Sequence, residues 1–587
     1  MNPVRDFAAQ LTQLEQNADR EPDSTRLWSL FELSWDIHLN EYPESASMMG
    51  YDGYGDRWTD QSLAAIARRA QHPGRELEVL HTIDRARLSP ADQLNYDLFE
   101  AKLADQVESN RFPGELMPIN QMGGIQQNAA STLEYMPTGT LARCEEILAR
   151  LRGLPEQIDQ TIALADSGLK AGITPPEITL RDVPDQVRSQ IVDDPSTAPL
   201  LVVLAEQPAT ISDADWKRIT GDAYTIYREQ IVPSFERLYA FLTQTYIPGC
   251  RTTIGLGSLP DGDAWYRHAV RHYTTTELTP DDIFTIGQSE VARIRAEMEA
   301  IIASTGFQGD FAAFTEFLRT DSRFFFDTPE ALLSAYRDIC KRVDPQLVHL
   351  FGTLPRLPYG VVEVPSYSEK SQTTAYYQPG SARAARPGYF YANTYDLKSR
   401  PSWEMAALTL HEAVPGHHLQ IALSQELKSL PKFRSEGWYT AYGEGWALYA
   451  ESLGETMGMY DDPYVKFGQL TYEMWRAIRL VVDVGMHVKG WSRQQAIDYF
   501  RQNSAKTEHD ITVEIDRYIA WPGQALAYKI GELKIKELRA FAELELGNSF
   551  DLRTFHDEIL GDGGLPLDIL DRKIRTWVAE QKEKSGR

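Results

Sequence analysis

Apolar residues recur three and four positions apart along most of the chain, the spacing that lines one face of an α-helix. Cys144 to Leu164, Trp216 to Leu242 and Ala525 to Leu546 carry it most clearly. Thr174-Pro175-Pro176 and Ile247-Pro248-Gly249 punctuate the pattern as turns. Thr279-Pro280-Asp281-Asp282 predicts a helix start, with an N-cap threonine, a proline at the first helical position and acidic residues in the first turn. Between about Tyr359 and Tyr395 the pattern turns β-rich, in Val361 to Val364, Thr373 to Tyr377 and Tyr389 to Asn393, with Pro and Gly turns between the runs. These runs predict a small antiparallel sheet, after which helices return from Trp403. The expectation is a mainly α protein with a helical scaffold over 1–255. A second region over 256–587 holds the sheet at about 359–395 and the candidate chemistry at 411–451.

Composition narrows the functional classes. With 587 residues, 42% apolar and 24% charged, the chain can bury a large core and has no disordered or fibrous character. A formal net charge of −25 sets up a field that repels phosphate backbones and anionic lipid, so neither nucleic acid nor a membrane is an expected partner. Cys144, Cys250 and Cys340 have no paired spacing and read as buried residues of a reducing compartment. The amino terminus lacks the apolar core of a secretory signal, and no later run approaches the ~20 apolar residues of a membrane span. A cytoplasmic protein is expected, monomeric or homodimeric. The loop Gly255 to Gly262 lacks the strand and helix that a nucleotide fingerprint requires.

The strongest chemical signal is Leu410-His411-Glu412-Ala413-Val414-Pro415-Gly416-His417-His418. It begins as the His-Glu pair of zinc hydrolases, in which histidines four apart share a helical face and the glutamate polarises a water. Here the spacing is six, which on a regular helix turns the second side chain by about 240°. The helix must therefore deform, and Pro415-Gly416 supplies a kink or bulge. His418 would regain the first face but about 10.5 Å along the axis, so His417 is the preferred ligand over His418. Downstream, Gly443-Glu444-Gly445-Trp446-Ala447-Leu448-Tyr449-Ala450-Glu451 offers Glu444 as third ligand. Two imidazoles and a carboxylate leave a fourth position open, as a hydrolytic zinc site needs. Glu451 either orients a ligand histidine or faces solvent.

These motifs resemble a bacterial family known as domain of unknown function 885, marked by His411-Glu412-x-x-Pro415-Gly416-His417 followed by Glu444-Gly445-Trp446-Ala447. The likeness extends to Leu259 to Tyr266, Arg476 to Leu480 and Pro522 to Tyr528. The resemblance implies an architecture similar to helical zinc peptidases such as the thimet oligopeptidase, Taq carboxypeptidase and dipeptidyl peptidase III groups, the last of which also lengthens the histidine spacing. It thus implies a zincin-like, gluzincin-type core with the sheet beside a central cleft. Many relatives carry export signals, from which this chain departs, so the compartment does not carry over.

Further candidates surround the motif. Arg479, Asp483 and His487 recur every four positions as one polar stripe in apolar sequence; Arg479 and His487 are candidate substrate contacts, or the stripe is an internal ion-pair network. Tyr528, then Tyr518, is a candidate oxyanion donor, and Arg517 could bind a substrate carboxylate. Tyr391 to Thr394, including Asn393, is a candidate edge for main-chain pairing with a peptide. His268 and His272 have the usual metal spacing but sit beside arginines and read as a solvated face or substrate contact. The expected function is a zinc hydrolase with one ion per chain, Glu412 as general base and peptides or small amides as substrates. The alternatives are a metal-dependent amidase or esterase acting on a small non-peptide substrate, and a non-catalytic peptide-binding protein of the same fold.

Overall fold

The structure, a computed structural model, describes residues 6–17, 20–366, 369–370 and 372–584. It is mainly helical, as the periodicity predicts, and its contacts divide it into two compact units. One is Met1–Thr253 with Pro431–Phe433; the other is Ile254–Leu430 with Arg434–Arg587.

The first unit is organised on α1 (Leu141–Ala171), which buries Cys144, Ile147, Leu148, Leu151, Leu154 and Ile158 along one face. Thr140 caps its start by accepting from the Arg143 amide, and Gly172 ends it in the left-handed conformation that a residue without Cβ adopts freely. The segment expected to be helical from Trp216 to Leu242 is helical throughout, with a π turn at Tyr227–Ile231.

The second unit carries the motifs. Its helices are α2 (Gly262–Thr274), α3 (Pro280–Ser304), α4 (Met405–Glu412), α5 (His417–Glu426), α6 (Thr440–Ser452), α7 (Pro463–His487), α8 (Glu508–Ala520) and α9 (Ala527–Leu546). The predicted start at Thr279 forms a reciprocal capping box with Asp282. From Phe467 to His487 every residue of α7 is buried. Its polar side chains therefore need internal partners. Glu473 meets the fully buried Lys529 of α9 at 2.8 Å, and Lys529 also pairs with Glu532 and with Glu290 of α3, which ties three helices at one charge. Helices α6 and α9 cross where Gly445 meets Gly531; a Cβ on Gly445 would lie 2.5 Å from the Gly531 Cα.

The sheet is mixed rather than antiparallel. Strands β1 (Tyr359–Glu363), β2 (Ala375–Gln378) and β3 (Gly388–Ala392) lie in the order β1-β3-β2, with β3 parallel to β1 (Val361 opposite Phe390) and antiparallel to β2 (Tyr377 opposite Phe390). The turn signals suggested successive hairpins, but only β2 and β3 form one. The chain leaves β1, passes to the far side and returns through the middle. The expected edge at Tyr391 to Thr394 is thereby corrected, because β3 is bonded on both sides. Asn393 is buried and donates to the carbonyls of Glu369, Gln372 and Thr373, so it fastens the loop before β2 rather than facing a ligand.

Asp483 of α7 accepts from the Tyr266 hydroxyl at 2.6 Å and the Gly523 amide at 3.1 Å, yet burial pushes its carboxyl up to about 7. A folded-state value above the unfolded one of about 3.9 means that the folded chain holds a proton the unfolded chain releases. That stability is present below about pH 4 and lost as pH rises through 7. Asp483→Asn keeps an acceptor oxygen and removes the titration. Relative to the wild type it should gain on the order of 1–3 kcal/mol between pH 5 and pH 8, measured by urea unfolding at each pH; a constant difference between the two curves would contradict the assignment.

Candidate metal centre

Helix α4 is buried at every position and ends at Glu412; the Ala413 amide makes its last bond, to Thr409 at 2.9 Å. The chain then turns through Ala413 to Gly416 and α5 begins at His417. The expected kink is thus a complete break between two helices, because Pro415 brings no amide hydrogen and Gly416 tolerates contact that no side chain would. A Cβ on Gly416 would collide with the carbonyl oxygens of His411 and Leu410. The Trp446 indole of α6 donates to the Pro415 carbonyl at 2.8 Å and fixes the turn.

The break brings the His411 and His417 rings within 4.8 Å of each other, nearly perpendicular. Glu444 enters from α6, two residues before Trp446. Its Oε2 lies 3.5 Å from His411 Nε2 and 3.2 Å from His417 Nε2. One ligand atom from each of the three lies within 4.8 Å of the others, the arrangement a metal ion requires. Burial would raise the Glu444 carboxyl, but the His417 and His411 imidazoles hold it well below its ordinary value. Its Oε2 nonetheless makes no hydrogen bond among the described residues. Two imidazole nitrogens and one anionic oxygen, itself the buried acceptor without a hydrogen bond, fit zinc.

Glu451, seven residues along α6, is fully buried and accepts from His411 Nδ1 at 2.8 Å and Arg476 at 3.2 Å. It is not solvent-facing. The bond to Nδ1 leaves Nε2 directed at Glu444, the way an outer carboxylate orients a metal-binding histidine. Burial pulls the His411 ring down, yet the Glu444 and Glu451 carboxylates push it up to about 9. His418 turns away: its Nδ1 meets the Tyr377 hydroxyl at 2.8 Å, its ring packs on Tyr359, and burial lowers it to about 4. Glu412 is buried beside His411, and its charge favours the protonated ring.

On the other side of His411 stands Tyr528, the two rings near-parallel with centroids 6.4 Å apart. The Tyr528 oxygen accepts from Arg517 at 3.1 Å and from Gln524 at 3.3 Å, while the Arg479 guanidinium lies 4.2 Å from its ring centroid. Arg517 also pairs with Glu514 and donates to Gln524, so it is held inside the fold. Tyr518 is fully buried, accepts from Trp475 and Arg479, and donates to Glu514 at 2.6 Å. Its hydroxyl is committed to that network.

The polar stripe divides. Arg479 joins the Tyr528 cluster through Glu514 at 3.1 Å. His487 accepts from the Leu256 amide at 3.1 Å and bonds the Tyr518 carbonyl at 3.0 Å, so both ring nitrogens are spent on backbone and its expected substrate contact is replaced by a structural role. His268 and His272 stack on each other 6.0 Å apart. Sequence reasoning missed Trp438, whose ring lies 5.9 Å from that of His417, and Gln524. The available signal was a tryptophan in a short polar run six residues before Glu444.

A family model for bacterial proteins of unknown function, DUF885, matches residues 43–574. A solved structure from Colwellia psychrerythraea, described as a putative lipoprotein, is similar at 27% identity with a TM-score of 0.89, over 95% of this chain and 100% of that one. A second, described as a putative lipoprotein of unknown function from Shewanella oneidensis, shares the fold at 18% identity and a TM-score of 0.70, over 93% and 99%. No curated protein matches the chain.

The collision at Gly416 sets a stability test. Gly416→Ala should cost on the order of 3 kcal/mol or more, read as a lowered urea midpoint, because both obstructing atoms are backbone carbonyls. A change below about 0.5 kcal/mol would mean that the turn is loosely held.

Proposed function

We propose a zinc-dependent peptidase activity for this chain, which belongs to the DUF885 family of bacterial proteins of unknown function. The observation that carries the reading is the convergence of His411, His417 and Glu444 beside Glu412, with His411 oriented by Glu451. Zinc held there, one ion per chain, would supply the Lewis acidity that polarises a scissile carbonyl and eases loss of a proton from water. Glu412 takes that proton and passes it to the leaving amine. The Tyr528 oxygen accepts from two donors, which leaves its own proton for the oxyanion that develops on the substrate. A zincin-like, gluzincin-type core is part of this reading, supported by the ligand set and the glutamate that follows His411.

A peptide substrate is favoured over a small amide by the sheet. Strand β2 is an outer strand that packs against α4, the helix that ends in His411 and Glu412, and so sets extended main chain beside the cluster, as extended-peptide recognition uses. A cytoplasmic location belongs to the proposal and is supported by three buried, unpaired cysteines. The lipoprotein description of the two solved neighbours points to an exported alternative. Cell fractionation separates the two. No helix of the described residues is long and apolar enough to cross a membrane.

Metal analysis of the purified protein should find about one zinc per chain and almost none in His417→Ala. Glu412→Gln should keep the metal while kcat falls by about 10²–10⁴ on a panel of peptides with free and blocked termini. Absence of metal, or full activity of Glu412→Gln, would sink the reading; turnover of simple esters or amides with no peptide cleaved would move it to the amidase or esterase alternative. Glu451→Gln should weaken zinc binding by about 10–100-fold in chelator competition, and an unchanged affinity would remove Glu451 from the site.

A further inference from the structure

We infer that Trp438 is a specificity-determining residue of this site, its indole forming the wall that receives an apolar substrate side chain next to the scissile bond. The inference rests on the peptidase reading. Three observations carry it. Trp438 is 47% exposed, unusual for the largest apolar side chain. Its ring is tilted against that of His417 with centroids 5.9 Å apart, so the half-exposed indole lies beside a proposed metal ligand. The indole is also held in place, because it covers Gly443 so closely that a Cβ there would collide with the six-membered ring.

A single exposed apolar residue ordinarily needs no explanation. Position and immobilisation separate this one from the others. Trp521 is similarly exposed at 43%, but its indole donates to the Tyr273 hydroxyl and its ring meets the Tyr273 ring edge-on, away from His411, His417 and Glu444 in its bonding among the described residues. Trp438 lies in the chain between His417 and Glu444, two residues before α6 begins at Thr440, and its backing glycine immediately precedes Glu444. An indole fixed at one edge of the cluster offers a flat apolar surface at low entropic cost, since its rotamer is already restricted. A substrate group that reaches this surface while its carbonyl lies at the cluster is the side chain of a residue flanking the scissile bond. The class selected is therefore peptides with an aromatic or branched aliphatic residue at that position, with small polar residues disfavoured.

The test uses the full-length, metal-loaded protein and peptides that differ only in the flanking residue: Phe, Leu or Ser. The wild type should prefer Phe and Leu. In Trp438→Ala, kcat/KM for those two should fall by about 10–100-fold, mainly through KM, with the Ser peptide little changed; Trp438→Phe should restore most of the preference. Equilibrium binding by calorimetry in the Glu412→Gln background should show the same selective loss without turnover, and zinc content should be unaffected. Equal loss on all peptides, an unchanged preference, or loss of zinc in Trp438→Ala would overturn the assignment while leaving the peptidase reading intact. Failure of the wild type to cleave or bind any of the peptides would remove that reading and this inference with it.

Discussion

Close contact between Gly416 and the end of the preceding helix decides where both imidazoles point. The chain has to leave α4 at Glu412 and start α5 at His417, and the short turn between them folds back onto the carbonyl oxygens of Leu410 and His411. Only a residue without Cβ fits there. The same turn is held by the Trp446 indole, and Trp446 stands two residues from Glu444 on α6. One helix thus supplies both the clamp on the turn and the carboxylate that faces the histidines, which couples the register of α6 to the direction of His417. The Gly445–Gly531 crossing then sets how closely α9 approaches α6, and Tyr528 lies in the first turn of α9.

Around this frame buried polar side chains form one group beside His411 and another beside Tyr528. Glu451 and Arg476 stand behind His411; Glu514, Arg479, Arg517 and Gln524 stand behind Tyr528. Buried ion pairs of this kind add little net stability, because desolvation offsets most of their attraction, but removing one partner leaves an uncompensated charge at a cost of about 3–5 kcal/mol. Their effect is therefore on geometry: His411 and Tyr528 are each fixed by groups that cannot move independently. Lys529, with its three glutamates, does the same for the packing of α3, α7 and α9.

Much of this was legible in the sequence because helical periodicity and capping chemistry are local. The start at Thr279, the long helix ending at Leu546 and the need for a deformation at Pro415-Gly416 all follow from neighbouring residues. The sheet was not legible to the same degree. Turn residues say where strands end, but strand order depends on contacts across the whole segment, and β3 entered between its predecessors. The polar residues of α7 were ambiguous for a related reason. Sequence shows that Asp483 and His487 need partners, but not that those partners are the Gly523 and Leu256 amides. Asn393 was misread in the same way, as a ligand contact where it bonds three carbonyls. Glu451 stood out because a seven-residue step on a helix returns it to the face of Glu444.

The unsatisfied polar atoms at the cluster bear on what the site does. Buried donors and acceptors are nearly always paired in native proteins, so each exception calls for a reason. Among the described residues such atoms occur in several parts of the fold, and His417 Nδ1, Glu444 Oε2, Glu451 Oε2, Arg476 Nε, Arg479 Nη1 and Tyr472 Oη are among them. These atoms belong to the two networks on either side of His411 or to residues beside them, and Glu444 Oε2 lies closest to both imidazoles. A fold kept only for packing would gain by replacing such groups with apolar ones. Keeping them accords with a site whose remaining valences are met by a ligand, and the donor types favour a cation at Glu444. The same architecture recurs at 18% identity, and a fold of itself does not specify a chemistry. What the site can do therefore depends on the side chains that converge at the break between α4 and α5.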